Sequence, residues 1–212
     1  MLNCYAYGVQ SGNILHAAWA LFTESVQMPF VMGRPLALWP SKCKKVLRQC
    51  NELKQYEQTN HVRVYIEVAR NLMGETKNTS LLQEEYFDEM NWTPVNPTER
   101  GHAMFLKQAL QVFFCEWEEA GDLALSRADE YEKLLQCHCI LQTDIPVRGM
   151  VLYGAARKTG KRKYRKPAKK IPKRLKDMVK KENPNIPPMY HLLRTEEAAL
   201  RRNKTDVATA TF

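Results

Sequence analysis

The chain has 212 residues, 32 of them Lys or Arg against 23 Asp or Glu, for a formal net charge of +9. Its 44% hydrophobic and 26% charged residues are ordinary globular proportions, which excludes a disordered or collagen-like chain. No stretch approaches the ~20 apolar residues of a membrane-spanning helix, and no charged segment followed by an apolar one marks a secretory leader at the N-terminus. The charge is uneven: residues 1–150 hold 14 basic and 18 acidic residues, whereas 151–212 hold 18 and 5. Without a leader, the six cysteines (Cys4, Cys43, Cys50, Cys115, Cys137 and Cys139) read as reduced thiols of a cytoplasmic protein.

The periodicity is helical almost throughout, with no sustained alternation and no Asn-Gly or Asp-Gly hairpin turn. Residues 2–10 read as a helix closing near Gly12. Ser11 or Asn13 then caps a second helix to about Val31, apolar at Ile14, Ala17, Ala18, Leu21 and Phe22 and stopped by Gly33 and Pro35. Pro40-Ser41 opens a third helix to about Tyr56, and Asn60 is placed to cap a fourth that ends at Gly74. A loop follows over 75–97, with a short acidic helix expected around 81–90. Thr98 begins a helix apolar at Phe105, Ala109, Val112 and Phe113. The next runs from near Glu118 to about Cys137, and Pro146 opens another in its first turn. After the basic segment, Asn183-Pro184-Asn185 makes a turn. A helix from about Pro188 to Arg202 follows, then a tight turn at Asn203-Lys204 and a final two-turn helix.

Few residues nominate chemistry. Cys137-His138-Cys139 is the one cluster resembling metal ligands, but a structural zinc site needs four and no second pair is near. Glu84, Glu85, Asp88 and Glu89 lack the glycine and alternating oxygen ligands of a calcium loop. The five histidines, His16, His61, His102, His138 and His191, are scattered in sequence. Gly154 and Gly160-Lys161 miss the phosphate-loop spacing by one residue and lack a following Ser or Thr. No catalytic, cofactor-binding or metal-binding residue is therefore assigned. Trp19, Trp39, Trp92 and Trp117, with Phe105, Phe113 and Phe114, read as packing between helices.

The basic run is the sharpest feature: Arg157 to Lys181 carries 14 Lys or Arg and one acid, Asp177. Within it Tyr164, Ala168, Ile171, Leu175, Met178 and Val179 recur at helical spacing, which predicts a core-facing stripe with the cations on the solvent side. Pro172 predicts a helix start or kink near it, with Pro167 as the other possible start. The candidate docking surface comprises Lys161, Arg162, Lys163, Arg165, Lys166, Lys169, Lys170, Lys173 and Arg174. The first reading of these cations is the solvated face of a solenoid helix. As a docking surface, an acidic protein partner is favoured over nucleic acid or an anionic surface through 157–181, and only one aromatic residue, Tyr164, interleaves the run, which speaks against base stacking.

About nine or ten helices joined by short turns predict stacked antiparallel hairpins. Ala120, Ala124 and Ala128 share a face, and Ala198, Ala199 and Ala208 flank a turn, as in tetratricopeptide hairpins whose small residues let helices approach closely. The expectation is an all-α, tetratricopeptide-like solenoid over 1–212, with N-terminal pairs in 1–74, the loop in 75–97, central pairs in 98–157 and the basic helix and last hairpin in 158–212. The short final segment and the abrupt start read as a piece of a longer array.

Several segments resemble the helical region of large multidomain signalling ATPases of bacteria, algae and oomycetes. Tyr5-Ala6-Tyr7-Gly8, Ser11-Gly12-Asn13 and Ala17-Ala18-Trp19 look like that family's opening, and Phe30, Gly33, Pro35 and Leu36 like a turn in it. Asn71-Leu72-Met73-Gly74 with Thr76, Asn78, Leu82, Glu85 and Asp88-Glu89 looks like its loop. Gly160 to Tyr164, Asn183-Pro184-Asn185 and Leu192 to Leu200 look like its last helices. The sequence departs from the family at Thr79, Glu84, Pro167 and Pro172. The resemblance implies the helical array alone, a non-catalytic scaffold or relay that contacts a protein partner or neighbouring domains of the same polypeptide. The kinase, ATPase and output domains of that family have no counterpart in these residues.

Overall fold

The computed structural model describes residues 2–83, 85–127, 133 and 140–209. Among these residues the fold is all-helical, with no strand and only an isolated bridge between Gln83 and Asp88. The chain divides into two compact units, Met1–Leu110 and Gln111–Phe212.

In the first unit α1 (Leu2–Gln10) packs on α2 (Ile14–Phe22), where a Cβ added to Gly8 would lie 2.8 Å from that of Ala17. Asn13 occupies the N-cap position of α2, but its Oδ1 is 2.8 Å from Nδ1 of His16 and makes no cap bond to the helix backbone. Alpha geometry then yields to a π-helical turn over Thr23–Gln27 before α3 (Met28–Val31) ends in the left-handed Gly33, φ +62°. The Trp39 indole donates to the Val26 carbonyl in that turn at 3.2 Å. α4 (Trp39–Glu52), with Pro40 in its first turn, buries Cys43, Val46 and Cys50. It packs on α5 (Tyr56–Met73), which is closed by Gly74 at φ +73°. α5 starts four residues before Asn60, because Lys54 turns the chain at φ +55° and Gln55 takes the N-cap position. α6 (Pro97–Phe113) follows the loop.

The acidic helix expected around 81–90 does not form among the described residues of that span. Asn71 of α5, 1% exposed, donates from Nδ2 toward the carbonyls of Asn78, Thr79 and Leu81 at 2.9–3.1 Å and so ties a bent loop to the helix. Asp88 accepts from the Met90 amide at 3.0 Å, a local side-chain bond that competes with helix formation. Phe113, expected in the core stripe of α6, is 65% exposed, whereas Phe105 is fully buried.

In the second unit α7 (Trp117–Arg127) lies antiparallel to α8 (Leu141–Thr159): Trp117 meets Gly154 near one end and Arg127 meets Asp144 near the other. Ala120 and Ala124 are buried on the shared face as the sequence predicts, and Ala128 lies outside the described residues. Pro146 sits inside α8 as its sixth residue, beyond the first turn where the sequence places it, and so removes one backbone donor. Then come α9 (Arg162–Ala168), α10 (Lys170–Lys180) and α11 (Pro187–Thr209). α11 runs unbroken through Asn203-Lys204, where neither glycine nor proline is present to end it. A core of Ala120, Val151, Ala155, Tyr164, Leu175 and Leu193 gathers residues from α7, α8, α9, α10 and α11.

Candidate interaction face

The basic segment folds around its apolar stripe. Tyr164, Ala168, Ile171 and Leu175 are buried, Met178 and Val179 are partly buried against the same core, and Pro172 joins the buried set. Contrary to a single helix starting at Pro167 or Pro172, α9 already begins at Arg162 with Pro167 near its end, and the break falls at Lys169. That break puts Pro172 at the third residue of α10, where a missing backbone donor costs no intrahelical bond.

The nine predicted surface residues separate into groups. Lys161 pairs with Glu118, and Lys163 with Asp122, both acids of α7. The Tyr164 hydroxyl donates to the same Asp122 oxygen at 2.8 Å. The Lys163 hydrogen bond holds the Asp122 carboxyl below the usual carboxylate range, while the acids raise both lysines. Arg165 is half-buried beside the core. Arg162, Lys166, Lys169, Lys170 and Lys173 are exposed, and among the described residues none has an ion-pair partner. Arg174 is exposed as well.

Beside this face a groove of about 470 Å³ opens between α7, α8 and the α9–α10 segment. Leu125, Leu152 and Ile171 give it an apolar surface, and Arg148, Lys170 and Arg174 line it with positive charge. No local sequence signal indicates the groove, since its walls come from helices far apart in the chain.

Elsewhere the structure scatters most other candidates. Cys137-His138-Cys139 and Glu84 lie outside the described residues. Glu85 approaches Arg70 at 3.8 Å, Glu89 pairs with Lys107 at 2.6 Å, and Asp88 serves its own turn, so these acids face separate partners. Among the described residues no three metal-ligating side chains converge. His16 and His191 are exposed. His61 and His102, 41 residues apart in sequence, are both buried with ring centroids 4.6 Å apart and pack against Phe22. Trp39 stacks on Phe30, and Trp92 donates to Glu99 at 3.0 Å. Among the described residues no helix is long and apolar enough to cross a membrane. Comparison of the chain with protein-family models, curated proteins and solved structures finds no match.

Proposed function

We propose that this chain is a helical-hairpin interaction module that docks an acidic segment of a protein partner on the α9–α10 face. The observation that carries the reading is the row of Arg162, Lys166, Lys169, Lys170 and Lys173, exposed and without ion pairs among the described residues. Like charges held this close repel one another, and an acidic ligand relieves that repulsion. The tetratricopeptide-like array and the relay role in a multidomain signalling ATPase belong to the same proposal. They are supported by the close-packed small residues Gly8, Ala17, Gly121 and Ala155 at two helix pairs.

The test is titration of the full chain with an acidic peptide, a DNA duplex, single-stranded RNA and anionic vesicles at low salt. Binding of the peptide, lost in Lys166→Glu/Lys169→Glu/Lys173→Glu, supports docking. A preference for nucleic acid with a steep salt slope replaces it with backbone binding, and a preference for vesicles replaces it with a lipid surface. The relay role is tested separately by the reading frame around the chain: an adjoining ATPase or kinase domain supports it, and flanking frames without either count against it.

A further inference from the structure

We infer that the groove beside the basic face takes a large apolar side chain of the acidic segment, so that the site selects acidic sequences carrying a leucine-type or aromatic anchor. This rests on the docking reading above and adds the partner's chemistry to it. Charge alone attracts any polyanion and distinguishes little among them. The groove adjoins the charges directly: Lys170 and Ile171 are consecutive, and both line it, as does Arg174 one turn on. Leu125 and Leu152 supply apolar surface on the opposite walls, and Arg148, 5% exposed, adds a buried guanidinium. Its volume of about 470 Å³ has room for one or two large side chains and falls within the usual range of ligand clefts. Lys166, Lys169 and Lys173, without ion pairs among the described residues, extend beyond it on the same segment. An acidic chain lying along them carries an apolar residue to the groove, while a bare apolar ligand leaves those lysines unused. The complementary ligand is therefore acidic and apolar together.

The probes are two fluorescent peptides of equal negative charge, one with a leucine pair one helical turn apart and one with serines in those places, titrated against the full chain. The leucine peptide is expected to bind about tenfold tighter or more. Leu125→Trp, which fills the groove from a half-buried position, is expected to bring the ratio of the two affinities close to one. Lys170→Phe fills it from an exposed position on the opposite wall, so the ratio test survives if the α7 variant fails to fold. Equal affinity of the two peptides for the unmodified chain overturns the anchor inference and leaves docking intact. A leucine preference that persists in both filled variants also overturns it, by placing the anchor elsewhere. Binding of neither peptide at low salt overturns both readings.

Discussion

At the scale of single residues, the α7–α8 contact tolerates almost no added volume. A Cβ on Gly154 would lie 2.3 Å from the Trp117 ring, and one on Gly121 would lie 2.7 Å from the Ala155 Cβ. Neither neighbour is the end of a flexible chain, so Gly154→Ala and Gly121→Ala are each expected to cost about 1–3 kcal/mol, read as a lower melting temperature. Arg127 and Asp144 at the far end of the same pair bond at 2.7 Å with exposures of 7% and 0%. Asp144→Ala removes one buried charge partner of Arg127 and is expected to lower the melting temperature more than Ser126→Ala, whose side chain lies on the exposed face. Burial pushes the Cys43 thiol up to about 12 and Cys50 up to about 11, while Cys4 and Cys115 are exposed. Iodoacetamide at mildly alkaline pH is therefore expected to modify Cys4 and Cys115 in the folded protein and to reach Cys43 and Cys50 only on unfolding, as peptide mass spectrometry would show.

At the scale of elements, the contact between α7 and α9 is electrostatic at its edge. Asp122 titrates lower in the folded chain, so its contribution to stability is present above the unfolded carboxylate range near 3.9 and is lost as pH falls through the depressed folded value. Lys161 and Lys163 titrate higher when folded; their contribution is complete below the unfolded lysine range near 10.4 and is lost as pH rises through the folded values. Asp122→Asn is expected to flatten the acid limb of the melting temperature against pH, and added salt to narrow the difference, since these groups are exposed and screened. The stripe of α9 and α10 was legible from sequence because it is local: Tyr164, Ala168, Ile171 and Leu175 recur at steps that helix geometry alone requires. What engages Lys161 and Lys163 was not legible, since Glu118 and Asp122 lie 43 and 41 residues away and only the folded α7–α8 pair brings them there. The strap over 75–96 eluded pattern reading for a similar reason. Its shape depends on the Asn71 amide, a polar residue buried on a helix, and not on the propensity of the strap itself.

At the scale of the whole molecule, charge is partitioned between the units. Residues 1–110 hold 11 basic and 10 acidic residues, and 111–212 hold 21 and 13. Net charge and local charge can therefore be separated by experiment. Lys166→Glu/Lys169→Glu/Lys173→Glu and Lys42→Glu/Lys45→Glu/Arg48→Glu change the formal charge equally, from +9 to +3, on different units. If the α9–α10 face is the binding surface, only the first triple variant is expected to lose retention on an acidic-peptide resin. Equal loss in both would reduce the effect to bulk charge. The groove and the buried pair of His61 and His102 lay beyond sequence reasoning altogether, because each joins helices whose pairing no local pattern specifies.

The π-helical turn at Thr23–Gln27 also bears on how this chain tolerates change in length. A π turn holds one residue more than the α turn it replaces, so the segment accommodates an insertion that would otherwise rotate everything after it by about 100°. Removing one residue from this turn is expected to rewind it to α geometry and to leave Phe30 against Trp39, Tyr65 and Phe105, the three rings it now meets. The cost of the irregular turn is thus the means by which an extra residue is stored without disturbing the aromatic core downstream, and the Trp39 indole bond to Val26 is where that slack is fastened.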